Sequence, residues 1–275
     1  VHDSSYVILE HLTANQEEEE LSEYGMLLWG NLNYNYNQST MGYSQESNFS
    51  GISYSNRGWD DPHLLGYMES HDEERLMYRN IQFGNSSGNY DITELETGLN
   101  RNKMAAAFFF TVHGPKMMWQ FGELGYDKSI NLCEDGTVQN SCRLSPKPIT
   151  WDYYSDDERR KLYDTYKALM RLRNSHEAFT SATSEISMSV GSDTKRINID
   201  HPDMDVAIAG NFGVTSNDLR PQFSQTGQWY DFFTGDTLSV SSTDTTISMQ
   251  AGEFHVYTTQ KFEAPAEDLL TFIPS

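Results

Sequence analysis

The chain has 275 residues, enough to bury a sizeable core as one large domain or two ordinary ones. Its 40 acidic residues against 19 Lys and Arg give a formal charge of -21, which would repel a phosphate backbone or an anionic membrane surface, so nucleic acid is excluded as a partner class. Apolar stretches such as Met104 to Val112 fall far short of a membrane span, and no membrane insertion is expected.

Val1-His2-Asp3 shows no signal-peptide pattern and leads straight into a strand-like run at Ser5 to Leu9, as the middle of a larger protein would. Glu17 to Glu20 suits the first turn of a helix, where the helix dipole favours acids, and reads as a solvated cap rather than a cation site. A second strand is expected at Gly25 to Trp29. The Asn-, Tyr-, Gly- and Ser-rich stretch from Gly30 to Gly58 is long for a connection, and long loops in compact domains usually carry function. His63 to Met68 reads as a third strand, Gly98 to Val112 as a helix, and Lys116 to Phe121 as a fourth strand between Gly114-Pro115 and Gly122-Glu123-Leu124-Gly125.

Asp156 to Asn174 reads as a clearer helix, with Leu162, Tyr166, Leu169, Met170 and Arg173 on one face and Asp156, Asp157 and Glu158 in its first turn. Past Ala178 the texture changes to short alternating runs: Ile186 to Val190, Arg196 to Ile199, Val206 to Ala209, Trp229 to Phe233, Ile247 to Met249 and Phe254 to Tyr257. Runs of this kind between Gly, Asp, Ser and Thr clusters are the signature of an antiparallel sandwich. A boundary therefore falls near 176 to 182, dividing the chain into 1-177, 178-260 and a linker or tail, 261-275.

Chemistry-bearing residues recur where strands end: Glu10, the His71-Asp72 pair and Glu123. If consecutive strands are neighbours in a parallel barrel, these groups project into one mouth, where such barrels keep their chemistry. Paired carboxylates there are what glycoside hydrolysis requires, one donating a proton to the leaving oxygen and another facing the positive charge that grows at the anomeric carbon. Trp29, Tyr34, Tyr36, Trp59, Trp119 and Tyr126 are available to stack on sugar rings or to fill the core. Cys133 and Cys142 sit in a polar segment whose spacing favours a loop-closing disulfide in an oxidising compartment over two free thiols, and no metal motif includes them.

The segments Tyr6-Val-Ile-Leu-Glu10, Gly66-Tyr-Met-Glu-Ser-His71-Asp72 and Gly122-Glu123-Leu-Gly125 resemble those that follow the fifth, seventh and eighth barrel strands in the α-amylase family of glycoside hydrolases. Tyr24 to Asn37 and Gly227-Gln-Trp-Tyr-Asp231 are similar to secreted bacterial members of that family. The resemblance implies an α/β fold, the C-terminal part (strands five to eight) of a (β/α)8 TIM barrel followed by an antiparallel β-sandwich domain. It implies a retaining hydrolase of α-1,4-glucans of the starch and glycogen type, with Glu10 as general acid/base, Asp72 as transition-state stabiliser and His71 as a donor to sugar hydroxyls. Ser70 stands where the family usually has Asn. Arg75 occupies a position where the family often has arginine, available to pair with Asp72 or Glu123 or to form a surface salt bridge.

The family's nucleophilic aspartate follows the fourth strand, so no residue of this chain is expected to take that role, and the fragment alone is expected to be inactive. The N-terminal half of the same barrel is the expected protein partner, and the location secreted, cell-surface or periplasmic. No metal or cofactor is inferred here, the family's calcium ligands lying mostly in the other part. The alternatives are a non-catalytic α-glucan-binding fragment and a branching or transglycosylating enzyme, and whether Glu10 and Asp72 meet across a cleft separates binding from catalysis.

Overall fold

A computed structural model describes residues 5–266 and 268–270; the expectations for Val1-His2-Asp3 and the last five residues of the tail lie outside them. The first part is built on a parallel sheet of β1 (Ile8–Leu9), β2 (Leu27–Asn31), β3 (Leu64–Tyr67) and a late strand, Lys116–Met117, in sequential order. Between β1 and β2 runs α1 (Asn15–Glu23), and after β2 comes α2 (Asn33–Thr40). Beyond β3 follow α3 (Leu76–Phe83), the small hairpin β4 (Ser86–Ser87) and β5 (Tyr90–Asp91), α4 (Leu95–Phe110) and then β6, the Lys116–Met117 strand. The register Gly30↔Gly66 and Gly66↔Lys116 brings the backbones of β2, β3 and β6 side by side. Gly66 admits no side chain, because a Cβ there would lie 2.3 Å from Ile52 Cδ1.

Several elements differ from expectation for identifiable reasons. The Glu17–Glu20 run does enter α1, but Glu18 is buried rather than solvated: Oε2 meets Arg57 Nη1 at 2.9 Å and Oε1 accepts the Thr13 amide at 3.0 Å. The Gly30–Gly58 connection contains α2, whose polar sequence hides a mostly buried helix. Helix α3 carries no strong start signal, since its first amide, on Leu76, is capped by Glu69 Oε1 from seven residues upstream at 2.7 Å. The fourth strand is only Lys116–Met117, its pairing with β3 ending at Tyr67↔Met117, and Phe121 then turns the chain through a left-handed conformation (φ 59°).

Helix α4 is the hub. Every residue from Thr97 to Phe110 is buried, and each of its phenylalanine rings contributes on the order of 2 kcal/mol by leaving water. Helix α5 (Asp157–Ser175) packs on it, the Phe110 and Tyr166 rings meeting at 5.2 Å. On α4's other side lies an antiparallel six-stranded sheet, ordered β12-β11-β14-β9-β8-β7. Its strands are β7 (Glu185–Ser189), β8 (Thr194–Asp200), β9 (Val206–Asn211), β11 (Gly227–Asp231), β12 (Thr237–Val240) and β14 (Phe254–Thr258). A two-stranded sheet of β10 (Asn217–Leu219) and β13 (Ile247–Met249) accompanies it. A Cβ on Gly210 of β9 would come within 2.8 Å of the Phe108 ring, so helix and sheet are in direct contact. One continuous apolar core therefore runs from Leu32 to Leu269 through both parts.

Candidate functional site

Parallel register delivers the carboxyl ends of β1 and β3 to one side of the sheet. Glu10 follows β1 immediately, and the segment 68–75 follows β3. His71 Nε2 lies 3.7 Å from Glu10 Oε1 and 3.5 Å from Asp72 Oδ2, so the imidazole stands between the two carboxylates. The His71 ring also lies between two indoles, with centroids 5.7 Å from Trp29 and 5.9 Å from Trp119. Trp29 in turn meets Tyr67 edge-on at 5.3 Å. About half of each of the Glu10, His71 and Asp72 side chains is exposed.

A buried polar frame fixes the segment. Ser70 is fully buried; its hydroxyl donates to Glu73 Oε2 and accepts the Asp72 amide at 3.2 Å, taking over a turn-forming hydrogen bond that an amide side chain could also supply. Glu73 Oε1 accepts from Asn31 Nδ2 at 2.6 Å. Asn33, at the start of α2, donates to the Met68 and Glu74 carbonyls, both at 2.8 Å. The long Gly30–Gly58 connection thus buttresses the His-Asp turn.

Arg75 corrects its expectation. It is 4% exposed, pairs with neither Asp72 nor Glu123, and donates to the Ser70 and Glu73 carbonyls, with its guanidinium over the Tyr126 ring at 6.0 Å. It braces the turn from below and offers no surface to a sugar. Glu123 also sits elsewhere: it shares a cavity of about 10 Å³ with buried Glu69, Met68 and Tyr166, and burial raises its pKa, as it does that of Glu69. Tyr36, Trp59 and Tyr126 are core residues, and Tyr34 is half exposed with its hydroxyl on Glu46. Trp29 and Trp119 remain partly exposed beside His71.

Two contributors were not foreseen. Glu74 grips a later loop, its carboxylate accepting from the Ile130 amide and the Ser129 hydroxyl, both at 2.8 Å. Arg143 donates to the Asp72 carbonyl, and its Nη2 lies 3.7 Å from Asp72 Oδ1. Cys133 and Cys142 are joined, with Cα atoms 5.1 Å apart, and Arg143 is the next residue along. The one sequence signal was that adjacency. Among the described residues, Glu10, His71 and Asp72 are also the set whose ligand atoms, all within 4.8 Å, could gather round a metal ion. Two carboxylates and an imidazole this close equally suit proton transfer and stabilisation of a cation without one.

No protein-family model matches the sequence, and no curated protein sequence is significantly similar to it. Solved structures do match in fold. An α-amylase from Geobacillus thermoleovorans, solved with acarbose, is 14% identical with a TM-score of 0.67, over 93% of this chain and 53% of that one. AmyP, solved with maltose, is 15% identical with a TM-score of 0.67, over 93% and 55%. The three-domain cyclomaltodextrin glucanotransferase CldA is 15% identical with a TM-score of 0.69, over 95% and 51%. The chain thus spans about half the length of the structures it matches and has their fold, an α/β barrel part followed by a β-rich C-terminal domain.

Proposed function

We propose that this chain is the C-terminal half of an α-amylase-type glycoside hydrolase acting on α-1,4-linked glucans by a retaining mechanism. The observation that carries the reading is the meeting of Glu10, His71 and Asp72 at the carboxyl ends of β1 and β3, the two strands that flank β2 in the parallel sheet, beside Trp29 and Trp119. The solved structures of the same fold, with acarbose or maltose bound in two of them, support it.

Glu10 would protonate the departing glycosidic oxygen and then activate water, and Asp72 would face the oxocarbenium-like charge. His71 would hydrogen-bond the sugar at the cleavage point while the two indoles wall its ring. The nucleophile would come from the other barrel half, which also supplies the wall that dries the Glu10 carboxyl. Exposed apolar residues support such a partner: Tyr6, Val7, Ile8 and Leu12 in and around β1, Met118 just past β6, and Ile149 and Trp151 near Phe121. Residues 178–260 would form the enzyme's C-terminal β domain, and an extracellular, cell-surface or periplasmic location fits the Cys133–Cys142 bond.

The test is turnover of maltooligosaccharides by the chain completed with a barrel half carrying an acidic nucleophile. Glu10→Gln and Asp72→Asn should each lower kcat by about 10²- to 10⁴-fold, the range for general-acid and electrostatic contributions. Retention on starch with no turnover in the wild type would instead identify an α-glucan-binding protein.

A further inference from the structure

We propose that Arg143 is a positioning residue for Asp72, and that the loop closed by the Cys133–Cys142 bond exists to hold it there. The inference rests on the reading of Asp72 as the charge-stabilising carboxylate and goes beyond it by naming what aims that carboxylate. An exposed ion pair at 3.7 Å would by itself contribute little. Here the guanidinium also donates to the Asp72 backbone carbonyl, so it constrains the main chain as well as the side chain.

The loop behind Arg143 is cross-braced. The disulfide joins residues nine apart and ends one residue before Arg143. Lys147 Nζ donates to the carbonyls of Leu132 at 3.1 Å, Cys142 at 2.8 Å and Ser145 at 2.7 Å, which draws the two arms of the loop together. Tyr126 Oη donates to the Pro148 carbonyl at 2.8 Å and closes its base. The loop and the His-Asp turn are then joined at two points: Glu74 holds Ser129 and Ile130, and Arg143 holds Asp72.

Two contacts separated along both segments fix their relative position, where one would leave a hinge. Cutting the covalent closure frees the strand that carries Arg143 while Glu74 keeps the other end attached. The predicted result is a misaimed Asp72 rather than an unfolded site. An error of about 1 Å in a charge-stabilising group can cost around 10²-fold in rate.

The test compares wild type, Arg143→Gln, Arg143→Lys and a Cys133→Ser/Cys142→Ser double variant. Hydrogen–deuterium exchange on the 275-residue chain should show the Asp72 amide, which donates to Ser70 Oγ, exchanging about tenfold faster in Arg143→Gln, the worth of one charge-assisted hydrogen bond. The cysteine variant should show a smaller acceleration, and Arg143→Lys should stay near wild type. In the completed enzyme, Arg143→Gln should lower kcat about 10- to 100-fold with KM nearly unchanged, and Arg143→Lys should recover most of the loss. Unchanged exchange in Arg143→Gln overturns the proposal, and a rise in KM alone overturns it in favour of direct contact with the sugar. A wild type that cleaves no α-glucan defeats the glycosidase reading, while the exchange comparison still decides whether Arg143 clamps the turn.

Discussion

Asp72 is held in place by three neighbours that bind its main chain or its turn. Ser70 accepts its amide, Arg143 caps its carbonyl, and Arg75 holds the turn from beneath through the Ser70 and Glu73 carbonyls. Ser70 should therefore tolerate Asn, whose amide can both donate and accept, better than Ala. Ser70→Ala is expected to leave the Asp72 amide and a part-buried Glu73 oxygen without this partner, at a cost of about 1 kcal/mol in unfolding free energy. Urea denaturation of the two variants checks this, and equal stability for both would contradict it. At this scale the sequence was informative where neighbours in the chain cooperate, as in His71-Asp72. It was silent on Arg143, which is 71 residues from its partner, because such a contact depends on the path of an irregular loop.

Two helices, α3 and α5, start where an acid caps them, and the acid need not be adjacent. Asp156 caps α5 locally, accepting the Glu158 and Arg159 amides at 3.0 and 3.1 Å. Asp156→Ala is expected to cost about 1 kcal/mol, with a range of roughly 0.5–2, read as a lowered urea midpoint; no change would mean the helix is set by packing alone. The local cap made α5 legible in sequence, together with its apolar face of Leu162, Tyr166 and Leu169. Helix α3 was missed because its cap, Glu69, acts across the His-Asp turn. Strands β1 and β6 were expected at Ser5 to Leu9 and Lys116 to Phe121 but are two residues each, their extent being set by parallel pairing with β2 and β3.

At the scale of the whole molecule, two buried cations join the barrel part to the β-rich part. Arg101 in α4 donates to the Thr40 and Ser39 carbonyls on one side and to the Asn211, Phe212 and Gly213 carbonyls on the other. Lys195 in β8 reaches Ser47 and the Val190 carbonyl, and burial pushes its pKa down to about 7. Truncating Arg101 to Ala should strand these buried carbonyls and cost several kcal/mol, about 3–5 by analogy with broken buried charge networks. The variant's urea transition should separate into two steps, and a single unshifted transition would rule out this coupling. Charge pattern alone did not reveal the joint, because the partners that hold both cations are mostly backbone carbonyls distant in sequence.

The β-rich part carries its own pH dependence. His255 lies 2.5 Å from Asp231 and 2.9 Å from Glu253; burial opposes its charge, but the two acceptors prevail and raise the pKa to about 9. The folded state therefore holds a proton that the unfolded chain gives up above about 6.5. This contribution is complete below pH 6.5 and is lost as pH rises to about 9. Unfolding free energy measured from pH 6.5 to 9.5 should fall more steeply in wild type than in His255→Gln, and parallel profiles would refute the assignment.

The proposed chemistry requires that this chain carry half of a glycosidase site. Reducing-sugar release from soluble starch should be measured for the 275-residue chain alone, for a separately made N-terminal barrel half, and for the two mixed, with Glu10→Gln in parallel. Release only in the mixture, abolished by Glu10→Gln, is the predicted result. Release that persists with Glu10→Gln, or none from a mixture shown to associate, would contradict it.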